Sequence, residues 1–169
     1  MSKVHLLTED QESLQALARD FAENELQPVV KECDLKGEFP FEVYKKAHEI
    51  GLSAAMFVPE EYGGLGLDLV STCLIREELA RVDAGYQVTT GSCGLSWTPL
   101  KLAGTEKQKK IAADVLVSGG FGSYCLTEPD GGSDAGHPRT TAVKVGDEWV
   151  INGRKCFITN GPIAGYYVV

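Results

Sequence analysis

Histidine is scarce in this chain. His5, His48 and His137 stand far apart, and no two cysteines fall in a Cys-x-x-Cys spacing. A metal centre or zinc ribbon therefore has no ligand set to build on. The cysteines (Cys33, Cys73, Cys93, Cys125 and Cys156) are odd in number and widely spaced, which reads as reduced thiols in a reducing compartment. Positive charge is short as well: 16 Lys and Arg against 24 Asp and Glu give a net charge of −8. The nearest thing to a basic stripe is Lys107, Lys109 and Lys110 on one short helix. That reads as a solvated helix face, so no nucleic-acid partner is expected. No apolar run approaches the roughly 18–20 residues of a membrane span. Met1 to Gln15 lacks a basic segment followed by an apolar one, and it is acidic where a mitochondrial leader is Arg-rich. The expected location is the cytoplasm, or the mitochondrial matrix for a eukaryotic protein whose leader has been removed.

What is present is an ordinary globular composition, 43% apolar and 24% charged, enough for a sizeable core. The periodicity divides the chain into a helical domain, 1–120, and the opening of a β domain, 121–169. Thr8-Glu9-Asp10-Gln11 is a capping box. Leu14, Leu17, Ala18 and Phe21 then recur at helical spacing, with Leu26 and Val29 extending the stripe. Pro28 predicts a kink or an end. A second helix opens at Phe39-Pro40-Phe41 and stops at Gly51. Val58 to Gly66 is rich in glycine and reads as a surface loop. It lacks both the third glycine of a dinucleotide fingerprint and the Gly-Lys-Ser/Thr of a phosphate loop. Asp68 caps a third helix running to about Asp83, on which Glu77 and Glu78 read as a solvated face. Tyr86 to Leu102 is a helix of unusually small residues. By itself that composition points to close packing, with room for a ligand as the alternative. Thr105 to Gln108 is a second capping box, and its helix ends at Gly119-Gly120.

From Phe121 the period becomes two. Phe121 to Thr127, Thr140 to Val145, Glu148 to Ile151 and Lys155 to Thr159 read as strands. Gly146-Asp147 and Asn152-Gly153 read as hairpin turns, so an antiparallel meander is expected. The last residues, Gly165 to Val169, form an apolar strand run with no turn after it. That leads to the expectation that the sequence is a piece of a longer protein.

The junction segment, Tyr124 to Asp134, is the most informative. Leu126-Thr127 at a strand end offers an amide and a hydroxyl, and Gly131-Gly132-Ser133 lets backbone approach a ligand closely. On the Lys155–Thr159 strand, Phe157 and Thr159 would share a face. Such a wall suits a flavin, which needs a flat apolar slot and fixed donors. The same residues also suit a polar hairpin loop with a structural Phe and two surface threonines.

Three stretches carry a resemblance. The first is Cys125-Leu126-Thr127-Glu128-Pro129-x-Gly131-Gly132-Ser133-Asp134. The second is Gly146-Asp147-x-Trp149-Val150-Ile151-Asn152-Gly153-x-Lys155-x-Phe157-Ile158-Thr159-Asn160. The third is upstream, Val58 to Gly66 with Glu77-Glu78-Leu79-Ala80. Together they strongly resemble the acyl-CoA dehydrogenases over nearly the whole chain. The resemblance implies an α+β fold: an N-terminal all-α domain followed by the start of an antiparallel β domain, with a C-terminal helical domain lying beyond this sequence. It implies an oxidoreductase of fatty acid or amino acid catabolism that dehydrogenates an acyl-CoA at its α and β carbons. Hydride goes to the flavin of FAD and electrons pass to an electron-transfer flavoprotein, in a homotetramer. Carried over position by position, it implies FAD contacts at Tyr124, Cys125, Leu126, Thr127, Gly132, Ser133, Phe157, Ile158 and Thr159. Ser133, Val88, Gly91, Ser92 and Leu95 would face the acyl-CoA, which turns the small helix from a packing element into a pocket wall. The catalytic glutamate belongs to the absent C-terminal part, so no residue here takes that role and the piece alone is expected to be inactive. An acyl-CoA oxidase of the same family is one alternative. A non-catalytic acyl-CoA or partner-binding module is another, for a chain that ends at Val169. Two positions depart from the family pattern: Phe157 stands where Trp is commoner, and His137 where a small residue is usual. An exposed loop histidine is the expected reading of the latter.

Overall fold

The computed structural model describes residues 6–169. His5 and the first residues of the Met1–Gln15 stretch lie outside them. Helix α1 (Glu9–Phe21) begins at the expected capping box, with Gln11 N–H donating to Thr8 Oγ1 at 3.2 Å and Thr8 N–H to Gln11 Oε1 at 3.1 Å. Ala18 and Phe21 are buried as the spacing predicts, whereas Leu17 is exposed. The break expected at Pro28 takes a definite form. A π turn, Ala22–Leu26, resets the ladder, and α2 (Gln27–Lys36) then carries Pro28 in its first turn, where a missing N–H costs least. Helix α3 (Phe41–Glu49) follows, and Leu52 N–H returns to Ala47 O across Gly51.

The loop after α3 is more ordered than its glycines suggest. It holds two short 3-10 turns, Ala54–Phe57 and Glu60–Tyr62. Asp68 caps α4 (Leu69–Val82) by accepting from the amides of Val70 and Ser71. Asp83 does the same for α5 (Ala84–Ala103), and α6 (Glu106–Val117) starts at the second capping box. The core is built where these helices meet, around Leu26, Ile75, Leu79, Tyr86, Trp97 and Leu116.

Glu78 corrects the sequence reading. It is not a solvated residue but a buried one, 3% exposed. Arg19 holds it through two bonds of 3.1 and 2.6 Å, with Gln15 and Arg81 completing the set. The Arg19 guanidinium keeps this carboxyl below the usual carboxylate range. Helical spacing placed Glu78 on α4 but said nothing about α1 crossing over it, a long-range event.

The strands depart further from expectation. Strands β2 (Thr141–Val145) and β3 (Glu148–Asn152) form the antiparallel hairpin through Gly146, whose φ is +64°. Strand β1 stops at Tyr124 (Phe121–Tyr124) and pairs in parallel with β4 (Ala164–Val168), so the four strands do not run as one meander. Lys155–Thr159 is not a strand: Phe157 and Asn160 take φ of +56° and +65°, incompatible with an extended run. Nor does Asn152-Gly153 turn a hairpin. Gly153 is there for a close crossing, because a Cβ on it would lie 2.3 Å from Thr140 Oγ1. Strand β1 reaches the helices through Phe121, whose ring packs 4.6 Å from Tyr44 beside the stacked Phe39–Tyr86 pair. The architecture is thus a helical domain followed by short strands.

Candidate functional site

Two neighbouring regions gather the residues singled out from the sequence, and α5 belongs to both. The first is the turn after β1. Its backbone is fastened to the 155–160 segment: Cys156 N–H donates to Thr127 O at 2.9 Å, and Ser123 Oγ to Thr159 O at 2.8 Å. Tyr124 and Cys125 continue along β4, with Cys125 N–H donating to Val168 O. Burial pushes the Cys125 thiol up, so its side chain is a packing group and only its backbone is available to a ligand.

Glu128 is the electrostatic centre of this turn, and the sequence did not single it out. Its carboxylate accepts from Lys155 Nζ at 2.7 Å and from the amides of Arg139 and Thr140 at 2.7 and 3.0 Å. Lys155 also donates to Leu126 O. These bonds, Lys155 first, hold the Glu128 carboxyl down at about 2 instead of 4.5. The ionised group then contributes order that is fully present above the ordinary carboxylate range and lost as pH falls through about 2. Acid unfolding of the wild type should therefore lose ground to Glu128→Gln between pH 4.5 and pH 2. A constant stability gap across that window would mean that the carboxylate does not hold the turn.

Around this framework the remaining predicted residues are left free. Phe157 is 93% exposed, its ring held out by a backbone conformation that a bulky residue rarely adopts. Leu126 is exposed on the segment fastened to that of Phe157, and Ile158 is half-buried. The hydroxyls of Thr127, Thr159 and Ser133 make no hydrogen bond among the described residues. Gly132 and Ser133 sit at the exposed tip of the turn, and a Cβ on Gly132 would meet nothing within 4 Å. His137 is exposed, as expected, and bonded to Asp134. An apolar plane and uncommitted donors over a rigid base are what a flat heteroaromatic cofactor requires, so these residues fit a flavin.

Asn160 is the second residue that the sequence reading passed over. It is buried and donates from Nδ2 to Thr89 O at 2.8 Å and Gly122 O at 3.4 Å, so it ties the Phe157 turn to α5 and β1 together. The one available signal was its place directly after Thr159 in the quoted run.

The second region is a groove of about 350 Å³ between α4 and α5. Val88, Gly91, Ser92 and Leu95, the four α5 positions singled out as a wall, all line it, opposite Leu69, Thr72 and Arg76 of α4 and with Phe57 below. Ser133, expected beside the same ligand, is not among its lining residues.

The comparisons with known proteins agree with this architecture. Residues 8–120 match the acyl-CoA dehydrogenase N-terminal domain and residues 123–169 the acyl-CoA dehydrogenase middle domain, and the chain belongs to that family. A probable acyl-CoA dehydrogenase of Bacillus subtilis is 42% identical over 96% of this chain and 43% of its own length. A chain in the structure of the electron transferring flavoprotein of Acidaminococcus fermentans superposes with a TM-score of 0.89. It is 41% identical over all of this chain and 44% of that one. An acyl-CoA dehydrogenase from Bacillus anthracis complexed with FAD gives a TM-score of 0.85 at 34% identity, over 99% of this chain and 29% of that one. The chain spans less than half the length of these relatives. Among the described residues no helix is long and apolar enough to cross a membrane, and no cluster could hold a metal ion.

Proposed function

We propose that this chain is the N-terminal part of an FAD-dependent acyl-CoA dehydrogenase. Its helical unit, 1–120, would supply one wall of the acyl pocket, and the opening of its β unit, 121–169, one face of the flavin site. The observation that carries the reading is the exposed Phe157 ring at positive φ beside the unbonded hydroxyls of Thr127 and Thr159. Such a ring and such donors suit a flat aromatic ligand, and the left-handed backbone that carries the ring costs local strain. The named relatives support the cofactor and the substrate class, and the flavoprotein structure supports an electron-transfer flavoprotein as acceptor.

When bound, the flavin supplies a hydride acceptor for the β-hydrogen of the thioester. This chain's contribution is to seat it. Leu126 and Thr127 supply amide and hydroxyl donors at the edge that Tyr124 and Cys125 continue, Phe157 with Leu126 and Ile158 supplies an apolar face, and Gly132 with Ser133 supplies a close-approaching turn that also borders the thioester arm. The proton-abstracting base lies outside this chain. A homotetramer in the cytoplasm completes the proposal.

The test is made on the full-length protein. It should carry a flavin absorption band, and each of Thr127→Ala and Thr159→Ala should weaken flavin binding by about 1–3 kcal/mol. A double variant that retains flavin like the wild type would reject the assigned donors. Rapid peroxide formation with oxygen as sole acceptor would replace the dehydrogenase by an oxidase.

A further inference from the structure

The α4–α5 groove holds a cation with nothing to bind. Arg76 makes no hydrogen bond or ion pair among the described residues, and its Nε is buried without a partner. None of the residues lining the groove is acidic. The neighbouring carboxylate on α4, Glu78, is already taken by Arg19 and Arg81. The Arg76 Nε is shielded from water and unpaired while the rest of the half-buried side chain lines the groove, and a buried donor without a partner is costly.

Gly91 explains how Arg76 is seated. A Cβ at Gly91 would lie 3.0 Å from Arg76 Nη2 and 3.1 Å from Arg76 Nε, and 2.6 Å from Gln87 Nε2. The missing side chain opens the space that both groups occupy. Three nitrogens therefore converge on one point of the groove wall, and the apolar flank beside it is Val88, Leu95 and Leu69. A purely apolar groove would accept an alkyl tail by burial alone. This one adds a guanidinium and an amide to its wall, and it favours a ligand that brings a carboxylate to them.

We propose that Arg76, assisted by Gln87, makes this groove selective for acyl thioesters whose far end carries a carboxylate. This rests on the reading of the groove as the acyl pocket wall. Arg76 is then a specificity residue that touches the substrate away from the reacting carbons, and an unsubstituted alkyl chain leaves its guanidinium desolvated and unpaired.

The experiment uses the full-length, flavin-loaded protein and two matched pairs of substrates, glutaryl-CoA with pentanoyl-CoA and adipoyl-CoA with hexanoyl-CoA. Turnover is measured with an artificial electron acceptor, and binding of the same thioesters by calorimetry. The wild type should prefer the carboxylated member of at least one pair. Arg76→Met should lower that preference by about 10- to 100-fold, the worth of hydrogen bonds to a charged group. Arg76→Lys, which keeps the charge but loses the fork, should fall between. Because the readout is a ratio within each variant, a partly misfolded preparation does not alter it. A ratio unchanged in Arg76→Met, or a wild type that favours the alkyl member of both pairs, overturns the proposal and leaves the dehydrogenase standing. Failure of the wild type to bind or oxidise any of the four thioesters overturns both.

Discussion

Gly64→Ala is expected to destabilise the helical domain by about 3 kcal/mol or more, at or above the upper end of the cost of overpacking, because a collision with backbone cannot be relieved by a rotamer change. A Cβ at Gly64 would lie 2.1 Å from Val58 O and 2.5 Å from Val58 Cβ. Val58 has no freedom to yield. It is fully buried, and its carbonyl accepts from Gly66 N–H at 2.8 Å. The flanking residues are fastened in the same way, Leu65 N–H to Ala55 O and Leu67 N–H to Met56 O. Displacing Val58 would disturb all three bonds and the fully buried Met56 with them. The adjacent glycine separates packing from conformation. Gly63 has a φ of +84°, yet a Cβ there meets only Val117 Cγ1 at 3.7 Å, so Gly63→Ala should cost about 1–2 kcal/mol for the left-handed backbone alone. Denaturant unfolding of the two variants decides it. A Gly64→Ala protein within 1 kcal/mol of the wild type would show that the loop repacks.

That pair of glycines also shows what the sequence could and could not say. A glycine-rich stretch without the remaining marks of a nucleotide motif was legible as a loop, and so were the helix starts at Thr8, Asp68 and Thr105, because capping is a local matter of a side chain and the next three amides. Why two glycines stand together in the loop was not legible. One answers to its own φ and the other to a residue six positions earlier that folds back over it. Burial of Glu78 failed for the same reason, since the arginine that matters lies 59 residues away.

The strands were read worse than the helices, and the failures cluster at the candidate site. Alternation predicted an extended Lys155–Thr159, but the chain there is bound by side-chain contacts that no two-residue period encodes: Lys155 to Glu128, Ser123 to Thr159 O, and Asn160 to α5. The expected sharing of one face by Phe157 and Thr159 rested on that strand and falls with it. The motifs name the residues that meet in the turn after β1 and the 155–160 segment. The shape they take there was not legible, because it depends on two non-glycine residues held at positive φ. Local rules are expected to fail where structure is strained for a purpose.

Asn160→Ala should therefore damage the site more than any change of a residue that faces the ligand. The substitution leaves Gly122 O without its side-chain donor, removes the Thr89 bond, and puts alanine at a φ of +65°. Loss of one buried bond with its acceptor left behind costs about 1–3 kcal/mol, and the left-handed backbone adds about 1 kcal/mol, so the total should lie near 2–4 kcal/mol. Asn160→Gly removes the same bonds but accepts the backbone, so it should recover about 1 kcal/mol relative to alanine. Asn160→Asp sets an acceptor against two carbonyl oxygens and should be the worst of the three. Flavin retention in the full-length protein should fall in that same order, glycine least affected and aspartate most, because this amide is what ties the turn carrying Phe157 and Thr159 to α5 and β1. Stability measured by denaturant and flavin content measured by absorbance give independent readings. If the alanine and glycine variants both stay within about 0.5 kcal/mol of the wild type, where surface substitutions fall, then Asn160 does not anchor the turn, and the rigidity assigned to this face of the site has another source.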